Sequence, residues 1–322
     1  MALSKDLLLR TYRDMLRTRT LDYQLIKDAR SGKMLVGWHS GLGEESIVGP
    51  VALLGKDDYV TYTHRGAYVW LAKGMEMKEI IAEFYGKATG CAHGKGGTHI
   101  TKPSLGIFGR SGMQGGHFPL AAGMGIAAQM RDQDQVVLSF FGDGCANRAP
   151  LHEAMNYASI WKLPILWFCE NNGQSMSVKL NKTWAIKDIA KIAGSYAMPG
   201  KTIEDGNDVI AVTKAAKEFL DRARRGEGPA LLEIKTYRWR GHYEGEPMLY
   251  RTRQEVDEWM KKDPLKRFEQ VLLGQGLLTQ EDIQKIQAEA DAEVAEAQKF
   301  AEESPEPSPE DAFNAIYATT HS

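Results

Sequence analysis

The chain has 322 residues, of which 43% are apolar and 25% charged, with a formal charge of −2 at pH 7. This length suffices for one large α/β domain with a helical extension. The small net charge and the absence of a long Lys/Arg run predict no nucleic-acid partner, and no apolar stretch reaches the ~18 residues of a membrane span. Three separated cysteines without a CxxC spacing argue against disulfides and structural zinc, and favour a reducing, cytoplasmic setting. The segment MALSKDLLLRTYRDM lacks the apolar centre of a signal peptide.

The N-terminal third combines amphipathic helices with a short strand. Residues 4–30 carry an apolar stripe at helical spacing, and Ser4 is a suitable N-cap. Further elements are predicted: helices at 43–54 and 75–87, and a strand at 59–63. Residues 89–117 are rich in glycine and lack periodicity, and a loop this long inside a compact domain is commonly functional.

The middle of the chain alternates strands with helices. A small-residue helix is predicted at 119–130, followed by the elements of a β-α-β crossover: strand 135–141, helix 149–162 and strand 164–169. Helix 208–226 and strand 229–239 add another unit. Because both crossover strands are continuous apolar runs, we expect a doubly wound, mainly parallel α/β sheet with helices on both faces.

The character of the sequence changes after Gly276. Thr279 and Asp282 form a capping signature, an amphipathic helix follows, and SPEPSPED at 304–311 ends it. The sequence therefore predicts an α/β domain at 1–276 and a C-terminal helical arm with its tail at 277–322. The arm either packs on its own domain or grips a partner chain, and the sequence leaves both alternatives open.

Polar residues follow the two crossover strands. Asp143 stands between Gly142 and Gly144 after the first strand, and Asn172 follows the second. Ligands of open α/β sheets bind beyond the carboxyl ends of the strands, and glycines allow backbone to approach a ligand closely. Carboxylate, amide and carbonyl oxygens suit Mg²⁺, which commonly shares its coordination with substrate phosphates. The pattern predicts a magnesium-dependent ligand site at this sheet edge.

Several long motifs resemble one family. The spacing Gly-Asp-Gly, twenty-six residues, Asn-Asn is similar to the thiamin-diphosphate motif. Four further segments resemble the α chain of two-chain 2-oxo-acid dehydrogenases, which are the E1 components of pyruvate, branched-chain and acetoin dehydrogenase complexes. The segments are EFYGKATGCAHGKGGTHI, PLAAGMGIAAQ, HEAMNYASIWKLPILWFCENN and TYRWRGHYEGEP. The resemblance covers roughly residues 10 to 315.

The resemblance implies a role for each matching position. Asp143 and Asn172 would bind Mg²⁺ through their side chains and Gln174 through its carbonyl. Arg65 would grip the diphosphate. Further positions match residues that contact the cofactor in the family: His64, Gly112, Gln114, Gly142, Gly144 and Cys145. His242 matches a histidine near both the cofactor and the substrate, and His39 matches a histidine near the substrate channel.

The family also implies partners. A β chain would supply the glutamate that activates the thiamin pyrimidine, so that an α₂β₂ tetramer completes the site, and the acyl group would pass to a lipoyl group on an E2 chain. The substrate would be a 2-oxo acid or acetoin. Two alternatives remain open: a two-chain carboligase or transketolase-like enzyme without a lipoyl acceptor, and a subunit that binds without turnover.

Four positions depart from the family pattern. His64 replaces a tyrosine, Ala67 a histidine, Gln114 an aliphatic residue, and His117 a glutamine or small residue. We expect changes of this kind to alter the donor substrate or the acceptor.

Other signals favour ordinary structural roles. GMGIAA lies inside an apolar helix rather than after a strand, so it predicts helix packing and not a dinucleotide site. CAHGKGG has the wrong spacing for a P-loop and predicts a shaped loop. Cys91, His93 and His99 are expected to pack or face solvent rather than bind metal. Cys145 has no neighbouring base and is not expected to be a nucleophile. Core positions are expected for Tyr157, Trp161 and Trp167.

Overall fold

The computed structural model describes residues 2–131 and 134–313. Its α-helices are α1 (Lys5–Ser31), α2 (Val48–Ala52), α3 (Ala67–Ala72), α4 (Met77–Phe84), α5 (His117–Met130), α6 (Ala149–Ile160), α7 (Val209–Arg224), α8 (Arg253–Met260), α9 (Pro264–Gly274) and α10 (Gln280–Glu303). Its strands are β1 (Tyr59–Thr61), β2 (Val137–Gly142), β3 (Ile165–Asn171), β4 (Gln174–Ser175), β5 (Val178–Lys179), β6 (Gly200–Ile203) and β7 (Ala230–Lys235). Six short 3₁₀ segments lie between them within the described ranges: Glu45–Ile47, Pro103–Leu105, Cys145–Asn147, Leu180–Lys182, Ile189–Tyr196 and Pro309–Phe313.

Five strands form a parallel sheet in the order β1-β2-β3-β7-β6. Strands β4 and β5 form a separate antiparallel pair. The α/β prediction is therefore confirmed. Because the five strands run in one direction, the carboxyl ends of β1, β2, β3 and β7 lie at the same edge.

The sheet carries a core on each face, since successive strand residues point to opposite sides. One core includes Leu138, Phe140 and Phe168 and joins the sheet to α1, α2, α4, α7, α9 and α10. The other includes Phe141 and Trp167 and packs under α5 and α6. Burial on both faces explains why these strands read as unbroken apolar runs.

The expected helix ends are well defined. Ser4 Oγ accepts a hydrogen bond from Leu7 N at 3.3 Å, so the predicted cap of α1 is confirmed. At α10 the capping box is complete: Asp282 N donates to Thr279 Oγ1 at 3.1 Å, and Thr279 N donates to Asp282 Oδ2 at 2.9 Å.

The helix α10 packs on its own chain, against α1 and α4. Arg17 clasps Glu293 through two hydrogen bonds of 2.7 and 2.6 Å. After α10, Ala88 N donates to Pro305 O at 3.0 Å, which ties the segment to the start of the glycine-rich loop. The part of the predicted arm at 314–322 lies outside the described residues.

The glycine-rich loop is built around a buried carboxylate. Glu83 is 1% exposed, and its two oxygens accept hydrogen bonds from four backbone N–H groups, those of Ala92, Gly94, Gly96 and Gly97. A Cβ at Gly90 would lie 2.6 Å from Glu83 Cα, so a glycine is required there. The prediction that CAHGKGG shapes a loop is confirmed.

Some element predictions need correction. Only Val48–Ala52 is α-helical within the helix predicted at 43–54, and 3₁₀ geometry precedes it. The helix predicted at 119–130 begins two residues earlier, at His117. The β4–β5 hairpin, α8 and α9 were not predicted. No helix in the described ranges is both long and apolar enough to cross a membrane.

Candidate cofactor site

A cavity of about 300 Å³ opens where the carboxyl ends of β1, β2, β3 and β7 meet. Its walls contain many of the sequence-predicted residues. The lining residues are Thr63, His64, Arg65, Gln114, Gly142, Asp143, Gly144, Cys145, Arg148, Glu170, Asn172, Gln174, Ser175, Met176, Arg238 and His242. Residues distant in sequence are thus brought together by the parallel topology.

The three predicted metal ligands lie in this cavity. Asp143 is 1% exposed, and its Oδ2 has no hydrogen-bond partner. Burial raises the pKa of this carboxyl to about 7, although the positive charge of Arg238 opposes the rise. Asn172 Oδ1 accepts only a long bond of 3.3 Å from Gln174 N. The Gln174 carbonyl accepts a bond of 3.3 Å from Arg238 Nη1. An unpartnered buried carboxylate oxygen beside amide and carbonyl oxygens is a donor set that fits Mg²⁺.

Arg65 is held in the same cavity by a buried carboxylate. Its side chain is 2% exposed and its Nε lies 3.4 Å from Oε2 of Glu44, which is fully buried. Its Nη2 donates to the carbonyl of His242 at 3.3 Å. The other oxygen of Glu44 accepts a hydrogen bond from Asn172 Nδ2 at 3.1 Å. Glu44 therefore orients both the predicted diphosphate-binding guanidinium and a predicted metal ligand.

A second buried acid lies behind this pair. Glu170 Oε2 accepts a hydrogen bond from Thr63 Oγ1 at 3.0 Å, while its Oε1 has no partner. Burial, together with the negative charge of Glu44, raises the pKa of Glu170 well above its ordinary value.

Three histidines converge, and two of them, His64 and His242, line the cavity. The ring centroids of His39 and His64 are 4.6 Å apart, and His242 lies 5.0 Å from each. Burial and the charge of Arg65 lower the pKa of His39 to about 3 and that of His242 to about 4, and the pKa of His64 lies well below its ordinary value. The three imidazoles are therefore neutral near pH 7.

The three residues predicted to lend backbone to the diphosphate, Gly142, Gly144 and Cys145, line the cavity. A Cβ at Gly144 would lie 2.3 Å from Ser175 Oγ, so the chain requires a glycine there. At Gly142 the nearest atom would be Glu170 O at 3.9 Å, so the protein itself leaves space above this residue. Cys145 lines the cavity, and burial raises the pKa of its thiol to about 12, which agrees with the prediction that it is not a nucleophile.

Two predicted site residues, Gly112 and His39, are not among those that line the cavity, whereas Gln114 is exposed and lines it. His117 is 4% exposed and faces the sheet, where its Nε2 is 3.1 Å from Phe140 O. Ala67 is buried at the start of α3. The substitutions at 67 and 117 are therefore packing features, whereas those at 64 and 114 line the cavity.

The structure gives each of the discounted signals a place in the fold. GMGIAA lies within α5. Among the described residues, three or more potential metal-ligating side chains of the imidazole, thiol and carboxylate types converge only at His39, His64 and His242, and not at Cys91. Trp167 is buried, but the core prediction is wrong for Tyr157 and Trp161, which are 44% and 53% exposed and stack with centroids 5.7 Å apart.

Sequence reasoning missed the residues that orient the site: Glu44, Glu170 and Arg238. Glu44 belongs to a stretch that reads as an amphipathic helix, and Arg238 to one that reads as a strand. The one available signal was Glu170, a charged residue at the end of an otherwise apolar run and directly before the Asn pair. A buried charge in such a position needs a partner or a function.

The chain belongs to the dehydrogenase E1 component family, whose profile matches residues 12–310. It is similar to the alpha subunit of acetoin:2,6-dichlorophenolindophenol oxidoreductase of Bacillus subtilis, with 35% identity over 99% of this chain and 96% of that protein. The pyruvate dehydrogenase E1 component subunit alpha of Porphyra purpurea is 34% identical over 95% of this chain and 91% of its own length. The human testis-specific mitochondrial form is 35% identical over 98% of this chain and 81% of its own length.

Membership in this family confirms the predicted resemblance and makes the chain an oxidoreductase subunit of the E1 alpha type. The family depends on thiamin diphosphate, and the subunit names of the relatives imply a β-subunit partner. The cavity described above contains the predicted cofactor-binding residues Arg65 and Asp143.

Proposed function

We propose that this chain is the α subunit of an E1 component that acts on acetoin or a small 2-oxo acid and passes the acyl group to a lipoyl-bearing E2 chain. The observation that carries the proposal is the buried, unpartnered Oδ2 of Asp143, which shares one cavity with Arg65. A charged group buried without a partner is costly unless a ligand completes it. The relatives described above are named as dehydrogenase subunits, and none of them is named as a carboligase.

Asp143, Asn172 and the Gln174 carbonyl would hold Mg²⁺. Arg65 would bind the diphosphate, and a charge-assisted hydrogen bond of this kind contributes about 1.5–3 kcal/mol. The space above Gly142 and the backbone at Gly144 and Cys145 would admit the phosphates, with His64 beside them. Gln114, exposed at the mouth, and Gly112 would border the pyrimidine end. Glu44 would keep Arg65 and Asn172 in position.

His242 and His39 would serve the reacting end of the cofactor. Thiamin supplies the nucleophilic carbon and the electron sink for cleavage of the bond beside the carbonyl group. The low pKa values of both histidines keep them unprotonated near neutral pH, so each imidazole can offer one N–H donor and one nitrogen acceptor to the substrate there.

An apolar surface on and next to α5 and α6 supports the proposal that this chain binds a partner chain. Large apolar side chains stand exposed there: Leu120, Met130, Tyr157, Ile160 and Trp161. Exposed apolar clusters of this kind mark protein interfaces. We propose that the β subunit covers this surface, supplies the activating glutamate and completes an α₂β₂ tetramer.

The cofactor half of the proposal is tested by calorimetry on the complex with its β subunit. Thiamin diphosphate would be titrated with and without Mg²⁺ into the wild type, Asp143→Asn and the surface control Asp257→Asn. We expect Mg²⁺-dependent binding in the wild type and the control and at least a tenfold weaker affinity in Asp143→Asn. Equal affinity in all three complexes would contradict the metal assignment.

The substrate and the acceptor are tested by turnover. Acetoin, pyruvate and branched-chain 2-oxo acids would each be supplied with 2,6-dichlorophenolindophenol or with a lipoyl domain. Reduction of the dye with only one class of donor identifies the substrate. Acylation of the lipoyl domain supports the proposal that an E2 chain is the acceptor. Carbon–carbon bond formation with an aldehyde and no acylation would favour the carboligase alternative instead.

A further inference from the structure

We propose that His39, His64 and His242 form a binding site for a borderline transition-metal ion, Zn²⁺ or Co²⁺, whose ligands differ from those of the proposed magnesium site in the same cavity. Each histidine comes from a different loop, and one ligand nitrogen of each lies within 4.8 Å of the others. The site does not rest on the proposed function, because it requires neither thiamin nor a partner chain.

The geometry is suited to three-nitrogen coordination. The rings meet edge to face, with interplanar angles of 78°, 80° and 62°, so no pair is stacked. Zinc–nitrogen bonds of about 2.0–2.1 Å place tetrahedral ligands roughly 3.4 Å apart. Side-chain rotations that move each nitrogen by about 1 Å close the observed separations, well within ordinary rotamer freedom.

The nitrogens are available for a ligand. Nδ1 of His39, both ring nitrogens of His64 and Nδ1 of His242 are buried without hydrogen-bond partners. Three neutral imidazoles that are grouped without partners gain from a shared cation, since a neutral imidazole nitrogen is a common zinc ligand.

The cavity and the neighbouring charged residues determine the coordination number and the affinity expected of this site. His64 and His242 line the cavity, so a fourth coordination position faces the open space and can hold water, as in zinc sites with three protein ligands. Arg65, Arg110 and Arg238 lie near the cluster, and their charges oppose a cation, so binding is expected to be weaker than at a closed four-ligand site. Glu44 beside Arg65 and Glu246 Oε1, which is 2.6 Å from His242 N, reduce that repulsion.

Ligand chemistry separates the two metal sites. Magnesium prefers oxygen ligands and would select Asp143, Asn172 and the Gln174 carbonyl. Imidazole nitrogens favour Zn²⁺ and Co²⁺. One consequence does rest on the proposed function: zinc would occupy ring nitrogens of His39 and His242 that would contact the substrate, so zinc would inhibit turnover while Mg²⁺ remained in excess.

The test uses the full-length chain in excess Mg²⁺. Zn²⁺ is titrated calorimetrically and Co²⁺ by visible absorption, which distinguishes four-coordinate from octahedral Co²⁺. We expect one ion per chain and four-coordinate Co²⁺ bands in the wild type. In His64→Gln the affinity should fall at least tenfold, and His39→Gln provides a second ligand variant, each checked by circular dichroism.

Two controls locate the site. His93→Asn removes an exposed histidine outside the cluster and should bind Zn²⁺ as the wild type does. Asp143→Asn should retain Zn²⁺ binding even where it loses Mg²⁺-dependent cofactor binding, so that failure of the two proposals can be told apart. Absence of saturable Zn²⁺ binding, octahedral Co²⁺ spectra in the wild type, or equal affinity in His64→Gln would overturn the inference.

Discussion

At the residue scale, close packing against the side chain of Ser175 explains one of the two glycines that frame Asp143, Gly144. A Cβ at Gly144 would meet Ser175 at 2.3 Å from Oγ and 2.7 Å from Cβ. We expect Gly144→Ala to lower the free energy of unfolding by about 1–3 kcal/mol through overpacking, measured by urea denaturation.

A matched control is available in α5. A Cβ at Gly123 would meet nothing within 4 Å, and the residue lies in a helix. Gly123→Ala should therefore raise stability by about 0.5–1 kcal/mol, because glycine is a poor helix former. If both substitutions changed stability equally, the close contact at Ser175 would not be the reason for the glycine.

The buried pair of Arg65 and Glu44 differs sharply from the surface ion pairs. The two side chains are 2% and 0% exposed, whereas those of Lys33 and Glu302 are 47% and 52% exposed. Removing one member of a buried pair leaves an uncompensated charge, which costs about 3–5 kcal/mol. We expect Glu44→Gln to lose stability of that order in urea unfolding, and Glu302→Gln to lose at most about 1 kcal/mol. A loss below 1 kcal/mol for Glu44→Gln would mean that Arg65 finds another partner.

At the element scale, the contact of α5 with the sheet makes stability depend on pH. His117 is buried at the start of α5, and burial lowers its pKa from 6.5 to about 4. The unfolded chain therefore binds a proton below about 6.5, whereas the folded chain binds it only below about 4. Stability from this residue is complete above pH 6.5 and falls as the pH decreases towards 4.

The expected loss of stability at low pH follows from the same two pKa values of His117. Between pH 7 and pH 5, His117 should account for a loss of about 2 kcal/mol in the free energy of unfolding. His117→Gln should remove this part of the pH dependence, while His93→Asn, in an exposed loop, should retain it. Parallel stability–pH curves for the wild type and His117→Gln would show that His117 is not the titrating group.

Local sequence signals predicted elements better than they predicted the loops. Apolar runs and caps located β2, β3, α1 and α10 closely, because burial on two faces and capping chemistry act within a few residues. The path of the glycine-rich loop could not be predicted, since it depends on Glu83, which reads as an ordinary polar position of α4. Its hydrogen bonds span 9 to 14 residues, beyond any helical or strand period.

At the scale of the whole molecule, the candidate site could be predicted only in part, because several of its residues are brought together by contacts between segments distant in sequence. Asp143 and Asn172 follow strands that the sequence reveals, so their meeting at one sheet edge could be inferred. Glu44 and His39 reach that edge from segments with no strand pattern, and Arg238 follows β7 in a stretch where nothing marks a side chain that enters the cavity. Their positions follow from tertiary packing, which a single sequence does not display.

The sequence predicts a separate C-terminal arm after Gly276, whereas α10 packs into the hydrophobic core of the α/β domain. Residues on one face of α10 belong to the same core as the sheet: Ile286, Val294, Ala297 and Ala301. Each fully buried Val or Ile side chain contributes about 1.5–3 kcal/mol, and the total stability of a protein is commonly only 5–15 kcal/mol. Loss of α10 would therefore remove a large share of the available stability.

We expect a chain ending at Gly276 to be unfolded or aggregated, and a control chain ending at Phe313 to unfold in a single urea transition like the full-length protein. Val294→Asp in the full-length chain should lower stability by more than 2 kcal/mol, because it buries an unpaired charge in the shared core. Circular dichroism and urea denaturation measure both effects. A stable, cooperatively folded chain of residues 1–276, together with an unchanged Val294→Asp variant, would instead make α10 a separable arm and leave its apolar face free to serve a partner chain.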